Sequence, residues 1–321
     1  MIIPKVSIVM ITYNHEKFIE KAIKSILEQK FNEKFEIIIA DDASKDNTQK
    51  IIREYSQRFP NIIYPILRKE NIGATKNLYN VLMLCRGDYI AILEGDDYWS
   101  KKDKLQKQVD FLENKGNEKY IATVTKCHYV DENNNIIKGK DNLYYFNEAI
   151  YNIDNCQNWI LAGQLGTHVF RNIFLNSKED FSILYKANNI IGDRTLELIL
   201  SSKGDIYCFN EFMTCYRLIV KEGGSNFSSL ILKKDILLEE YKYLCKLNEY
   251  CMLTLKKSDF YKERILYISY EILKRYIKDR NYKNKYAIKY VYLTNKYNWI
   301  TFSMKKIFNY MIRLIKNIRV N

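Results

Sequence analysis

Gly87-Asp88-Tyr89-Ile90-Ala91-Ile92-Leu93-Glu94-Gly95-Asp96-Asp97-Tyr98-Trp99 is the stretch on which the reading of this chain turns. Tyr89–Leu93 is a short apolar run bounded by turn signals, the pattern of a buried strand. Glu94, Asp96 and Asp97 follow at once. A strand that ends in clustered acids places them at the carboxyl edge of a sheet, where open α/β sheets bind ligands. Neighbouring carboxylates repel unless something positive sits between them. A divalent cation, held by one or two carboxylates and completed by substrate phosphates, fits that need. A solvated acidic turn is the plainer alternative.

Upstream of this stretch, strands and helices alternate. Val6–Thr12 is a β-branched apolar run, and Phe18–Gln29 follows helical spacing through Phe18, Ile19, Ala22, Ile23, Ile26 and Leu27. Phe35–Ala40 is a second strand, ending in Asp41-Asp42-Ala43-Ser44. Lys45–Phe59 is a helix with Ser44 or Asp46 as its N-cap. Ile62–Leu67 is a third strand containing Pro65, which cannot donate to a ladder and so belongs at a sheet edge. Ala74–Cys85 is a third helix. The pattern predicts a doubly wound, mainly parallel α/β sheet of Rossmann-like type, with strand order 3-2-1-4. That order brings Thr12-Tyr13-Asn14 across one crevice from Glu94–Asp97.

No Gly-x-Gly-x-x-Gly follows the first strand, and no Gly-x4-Gly-Lys-Ser/Thr occurs anywhere. A dinucleotide fingerprint and a P-loop are both absent, so a metal has to carry any phosphates.

Four ordered motifs resemble the family 2 glycosyltransferases of GT-A fold. They are Val6-Ser7-Ile8-Val9-Met10-Ile11-Thr12-Tyr13-Asn14, Ile39-Ala40-Asp41-Asp42-Ala43-Ser44-x-Asp46-x-Thr48, Asn71-x-Gly73, and Glu94-Gly95-Asp96-Asp97-Tyr98-Trp99. The resemblance covers about residues 4–115 and continues more weakly to about 225. It implies transfer of a sugar from a nucleotide-diphosphate donor, a UDP-sugar first, with inversion at the anomeric carbon. It also implies a hydroxyl of a glycan or lipid-linked acceptor, in bacterial surface-polysaccharide or glycolipid synthesis.

Position by position, the resemblance assigns Thr12, Tyr13, Asn14, Asp42, Gly73 and Asp96 to the nucleotide. Tyr13 would stack on the base and Asp42 would accept from a base N–H, roles that an aromatic face and a fixed acceptor can fill. A packed turn tyrosine and an acid at a helix N-terminus are the plainer readings of the same two residues. Asp97, Asp96 and Glu94 would hold Mn2+ or Mg2+, with Glu94 in a slot often held by Asp. Asp193, in Gly192-Asp193-Arg194-Thr195-Leu196, would be the general base, or alternatively a helix cap at the start of a helix to about Lys203.

Trp99, His168 and Arg217 are candidate acceptor contacts, with a satisfied structural histidine as the other reading of His168. Cys215-Tyr216-Arg217 and Glu222-Gly223-Gly224-Ser225 resemble a segment near the donor phosphates, but Leu218-Ile219-Val220 stands where many relatives carry a histidine. Between these motifs, Lys104–Asn114 reads as a helix, Tyr120–Tyr129 as a strand and 131–142 as a polar loop.

Composition adds limits. The 321 residues carry a net charge of +13. Residues 231–321 hold 21 Lys/Arg and 8 Asp/Glu (21 − 8 = +13), so residues 1–230 are balanced at 30 of each. Segment 281–321 has nine Lys/Arg and no acid, and Ser303–Arg319 places Met304, Ile307, Phe308, Met311, Ile312, Ile315 and Ile318 on one helical face. That pattern suits an anionic membrane surface, or packing against the catalytic domain.

Seven scattered cysteines without a Cys-x-x-Cys pair point to free thiols in a reducing compartment. No apolar run reaches a membrane span and no signal peptide is visible, so the expected location is cytoplasmic, peripheral on the inner membrane face if the tail binds it. The expected organisation is 1–115 for the nucleotide-sugar half, 116–226 for the acceptor half and 227–321 for a basic helical C-terminal extension. A sugar nucleotidyltransferase would need a glycine-rich basic phosphate loop after the first strand, which Tyr13-Asn14-His15-Glu16-Lys17 does not supply. A nucleic-acid-binding protein using the basic tail is disfavoured by the neutral first 230 residues, and no nucleic-acid partner is expected.

Overall fold

The computed structural model describes residues 3–139, 148–190, 192–219 and 236–278. The chain divides into two compact units, 1–232 and 233–321.

In the first unit, β1 (Val6–Thr12), β2 (Phe35–Asp41), β3 (Ile63–Leu67) and β4 (Tyr89–Ile92) alternate with α1 (Ile19–Leu27), α2 (Thr48–Arg58) and α3 (Ala74–Leu82). The four strands are parallel in the order β3-β2-β1-β4, as the sequence pattern predicts. Every residue of β1 is buried, which is why it lacks polar alternation. Helix α1 buries Ile19, Ala22, Ile23 and Ile26, one face at helical spacing, into the cluster that includes Ile8, Met10, Ile37 and Ile39. Each such aliphatic side chain, fully buried, stabilises the fold by about 1.5–3 kcal/mol. Pro65 stands opposite Ile39 on the terminal strand β3, where its missing N–H costs no ladder bond.

The other side of β4 departs from the simple alternation. β8 (Val169–Arg171) pairs antiparallel with β4, then β6 (Tyr120–Val130) with β8, and β9 (Asp205–Arg217) runs parallel to β6. Two short strands, β5 (Tyr98–Trp99) and β7 (Ile150–Tyr151), pair antiparallel with β9. The sheet is therefore mixed α/β and largely parallel on its first side. Helices α4 (Lys104–Glu113), α5 (Ile153–Gln157), α6 (Ile183–Lys186) and α7 (Asp193–Ser201), with a 3-10 turn at Leu165–Thr167, complete the unit. Element ends differ from the sequence expectation by one to three residues. Asp46 accepts from the Thr48 N–H at 3.0 Å at the start of α2, whereas Ser44 bonds Asn14 and Asp41 instead.

In the second unit, α8 (Ile236–Leu253) and α9 (Lys262–Lys278) pack together, with Arg264 Nε donating to Glu240 at 3.0 Å. Among the described residues no helix is long and apolar enough to cross a membrane. The basic segment 281–321 and its expected amphipathic helix lie outside the described residues, as does Glu222–Ser225.

One core group is out of character. Lys104 is fully buried at the start of α4. Its ammonium donates to Gln108 Oε1 at 2.7 Å and lies 4.5 Å from the Trp99 ring. Burial pulls its pKa down from 10.5 to about 7. The unfolded chain holds this proton up to about 10.5, so the penalty is full below pH 7 and fades as pH rises to 10.5. Lys104→Met should therefore lose, between pH 7 and 10, an advantage over wild type on the order of a few kcal/mol. Denaturant titrations of both proteins at the two pH values measure it, and a pH-independent difference would refute a charged, buried Lys104.

Candidate functional site

The site forms where β1 and β4 end side by side. Backbone pairing outlasts the strand, since Leu93 N–H donates to Val9 O and Gly95 N–H to Ile11 O, each at 3.0 Å. Glycine is required at 95 because a Cβ there would lie 2.5 Å from Thr12 Oγ1 and 2.9 Å from Ile19 Cδ1. The acid turn thus presses directly on Thr12, as the strand order implied.

The loop after β1 is tied to the loop after β2. Asn14, at φ 57°, donates its N–H to Ser44 Oγ at 2.8 Å and accepts from Lys45 N–H at 2.8 Å. His15 N–H donates to Thr48 Oγ1 at 2.9 Å, and Glu16 N–H to Asp46 Oδ2 at 3.1 Å. Asp42, 3% exposed, accepts from the N–H groups of Ile72 and Gly73, each at 2.9 Å. Asp42 and Gly73 therefore form one corner, and the φ of 90° at Gly73 is one a side chain would strain. Tyr13 is half-buried. A carboxylate oxygen holding one amide proton keeps lone-pair capacity for a second donor.

Within the acid turn, Asp97 is 2% exposed, and its Oδ1 accepts the backbone N–H of Arg217 at 2.7 Å. Asp96 is more open and lies 3.6 Å from His15 Nε2, whose ring nitrogen Nδ1 is 3.2 Å from Thr12 Oγ1. Burial, then the charges of Asp96 and Asp193, push the Glu94 carboxyl up to about 8. Burial, then Asp96 and Glu94, raise Asp97 well above the usual carboxylate range, against the pull of Arg217.

Asp193 opens α7 directly after Gly192, and its Oδ1 accepts the N–H of Arg194 at 2.7 Å. Burial raises its pKa, partly offset by Arg194. Its charge acts on Glu94, which sets it close to the acid turn. The expected helix is present, ending at Ser201, and the N-cap position belongs to Gly192.

The three acceptor candidates need correction. Trp99 is 4% exposed, so its indole N–H must find a partner inside, and it donates to Gly166 O at 3.0 Å. His168 is fully buried, its Nδ1 2.9 Å from Gln164 O and its Nε2 3.3 Å from Glu197 Oε1. Its burial suits the plainer reading of a structural histidine, though Nε2 makes no hydrogen bond among the described residues. Arg217 is 2% exposed and holds the turn together instead of reaching outward. Its Nε donates to Asp96 O at 2.8 Å, Nη1 to Asp131 O at 2.6 Å and Nη2 to Asn134 Oδ1 at 2.8 Å. Sequence reasoning missed His15 and Glu197. The position of His15, directly after Thr12-Tyr13-Asn14, was the available signal; Glu197 reads only as one more helical acid.

Among the described residues no three His, Cys, Asp or Glu side chains form a ready-made metal cage. The donor set nevertheless fits a hard divalent cation completed by phosphate oxygens, which takes one or two carboxylates. Asp96 and Asp97 are the carboxylates of the turn that would supply those, one oxygen of Asp97 already accepting the Arg217 N–H.

Comparison with known proteins gives a consistent picture. The family model "Glycosyl transferase family 2" matches residues 7–172, more than half of the 321. TuaG of Bacillus subtilis, named a putative teichuronic acid biosynthesis glycosyltransferase, is 38% identical over 109 residues, covering 34% of this chain and 42% of that one. The S. aureus TarS fragment solved with UDP-GlcNAc has a TM-score of 0.56 at 19% identity, covering 93% of this chain and 79% of that one. The mannosyltransferase PcManGT of Pyrobaculum calidifontis, solved with GDP-Man and Mn2+, has a TM-score of 0.51 at 15% identity, covering 100% of this chain and 83% of that one. The curated relatives are matched over only 31% to 49% of their own length.

Proposed function

Because this chain belongs to glycosyl transferase family 2, we propose that it moves a sugar, with inversion, from a nucleoside-diphosphate donor, UDP-linked first, to a hydroxyl of a glycan or lipid-linked acceptor in surface-polysaccharide synthesis. The observation that carries this reading is the turn of Glu94, Asp96 and Asp97 at the carboxyl ends of β1 and β4, where Leu93 and Gly95 still pair with Val9 and Ile11.

In this reading Tyr13 and Asp42 receive the base, with Asp42 preset by the Ile72 and Gly73 amides. Asp96 and Asp97 hold Mn2+ or Mg2+, which when bound offsets the charge developing on the departing diphosphate. Arg217 fixes the carboxylate and carbonyl of that turn through its backbone and side-chain N–H groups. Asp193 takes the proton of the attacking hydroxyl, as an in-line displacement requires.

The test is hydrolysis of UDP-GlcNAc, UDP-glucose, dTDP-rhamnose and GDP-mannose with Mn2+. Release of a nucleoside diphosphate from at least one, abolished by EDTA, is expected. Nucleotide-sugar formation from a sugar phosphate and UTP, with no such release, would overturn the proposal in favour of a nucleotidyltransferase.

A further inference from the structure

Thr75 belongs to neither the nucleotide corner nor the acid turn, yet it touches the segment that delivers Asp193. It lies in the first turn of α3, two residues after Gly73, and is 2% exposed. Its hydroxyl donates to Asn188 O at 2.7 Å across 113 positions of sequence. Its own N–H faces Asn189 O at the longer distance of 3.5 Å.

Both ends of this contact are shaped for it. A Cβ at position 73 would meet Asn189 O at 3.4 Å. A Cβ at position 192 would meet Thr75 Cγ2 at 3.4 Å and Leu78 Cδ2 at 3.5 Å. Asn188 Oδ1 accepts the Ile190 N–H at 2.8 Å, which turns the backbone locally. One turn further along α3, the rings of Tyr79 and Tyr185 lie 5.0 Å apart and seat α6 on the same helix. The chain thus rests on α3 at Tyr185, Asn188 and Gly192, and Asp193 comes next.

The start of α3 is fixed in turn by Asp42, which binds the Gly73 N–H. Asp42 and the segment that leads into Asp193 are therefore both attached to the first turn of α3. We propose that Thr75 is a positioning residue: its hydroxyl, by holding the Asn188 carbonyl, sets where Asp193 stands relative to a donor anchored at Asp42. This rests on the reading of Asp193 as the base. Threonine suits the task because one side chain supplies both the hydroxyl for Asn188 and the methyl against Gly192. Valine keeps the methyl and shape but removes the hydroxyl that donates to the Asn188 carbonyl.

The test compares Thr75→Val and Thr75→Ser in the full chain, using whichever of the four nucleotide sugars the wild type hydrolyses, with UDP binding and amide exchange of 187–194 in parallel. A base misplaced by about 1 Å loses rate on the order of 10²-fold, so Thr75→Val should lower kcat by about 10- to 100-fold. UDP affinity should stay within about twofold, exchange of 187–194 should quicken, and Thr75→Ser should stay within about threefold of wild type in kcat. Unchanged kcat or exchange in the valine variant overturns the proposal. So does a parallel fall of kcat and UDP affinity, or serine as impaired as valine. If the valine variant fails to fold, Thr75→Ala is read by the same criteria. Near-normal kcat in Asp193→Asn would defeat the base assignment itself, whereas an inactive Asp193→Asn beside a fully active Thr75→Val defeats only the brace.

Discussion

Asp193→Asn is expected to lower kcat by about 10²–10⁴-fold, the usual span for a lost general base, with donor affinity nearly unchanged. Asparagine keeps the size of the side chain and an oxygen for the Arg194 N–H, so the start of α7 should persist. What disappears is the capacity to take a proton. Burial raises the Asp193 pKa, so wild-type activity should fall, as pH drops, at a higher pH than an ordinary aspartate would dictate. The folded state also binds that proton more tightly than the unfolded chain, so wild-type stability declines as pH rises through the raised value. The asparagine variant lacks both dependences and should match or exceed wild type in Tm at neutral pH. A pH–rate profile and a thermal melt separate lost chemistry from lost structure. A variant with near-normal kcat would return Asp193 to a purely helix-terminal role.

Asp97→Asn should weaken Mn2+-dependent UDP binding by at least about 100-fold, since even outer partners of a bound metal affect affinity by 10–100-fold. Wild-type protein should melt higher with Mn2+ and UDP together, by mass action, and the variant should not respond. Without ligands the order reverses. Asp97 is buried beside two other acids, and its proton is held above the usual range. Wild-type stability therefore falls as pH rises from that range, and removing the charge should leave the unliganded variant as stable or more so. Calorimetry with UDP and Mn2+ decides the matter, and unchanged affinity would end the metal assignment.

The nucleotide side of the site was legible because long, strongly patterned elements build it. Pro65 placed β3 at the edge, and the order of the other three strands followed. The same order brings Thr12 to the acid turn. Past β4 the signal thins. Strands β5, β7 and β8 have two or three residues each, too few to show a period of two. Gly163-Gln164-Leu165-Gly166-Thr167 carries two glycines yet forms an interior turn, the Gly166 and Thr167 carbonyls accepting from Trp99, Thr214 and Gln108. Arg217 resembles a phosphate or acceptor contact until its partners are seen, because nothing in a linear pattern pairs it with residues 120 and 121 positions away.

That last separation has a bearing on how the protein comes into being. Synthesis delivers the acid turn long before the residue that closes it, and at 5–20 residues per second the interval is roughly 6–24 s. Throughout it, Glu94, Asp96 and Asp97 lack the Arg217 clamp, and the edge of β4 that will receive Val169–Arg171 is unpaired. An unpaired, fully apolar strand edge is a template for the wrong neighbour. The nascent chain therefore carries its most repulsive turn and its stickiest strand side by side on the ribosome, and both are quenched only when β8 and then β9 arrive.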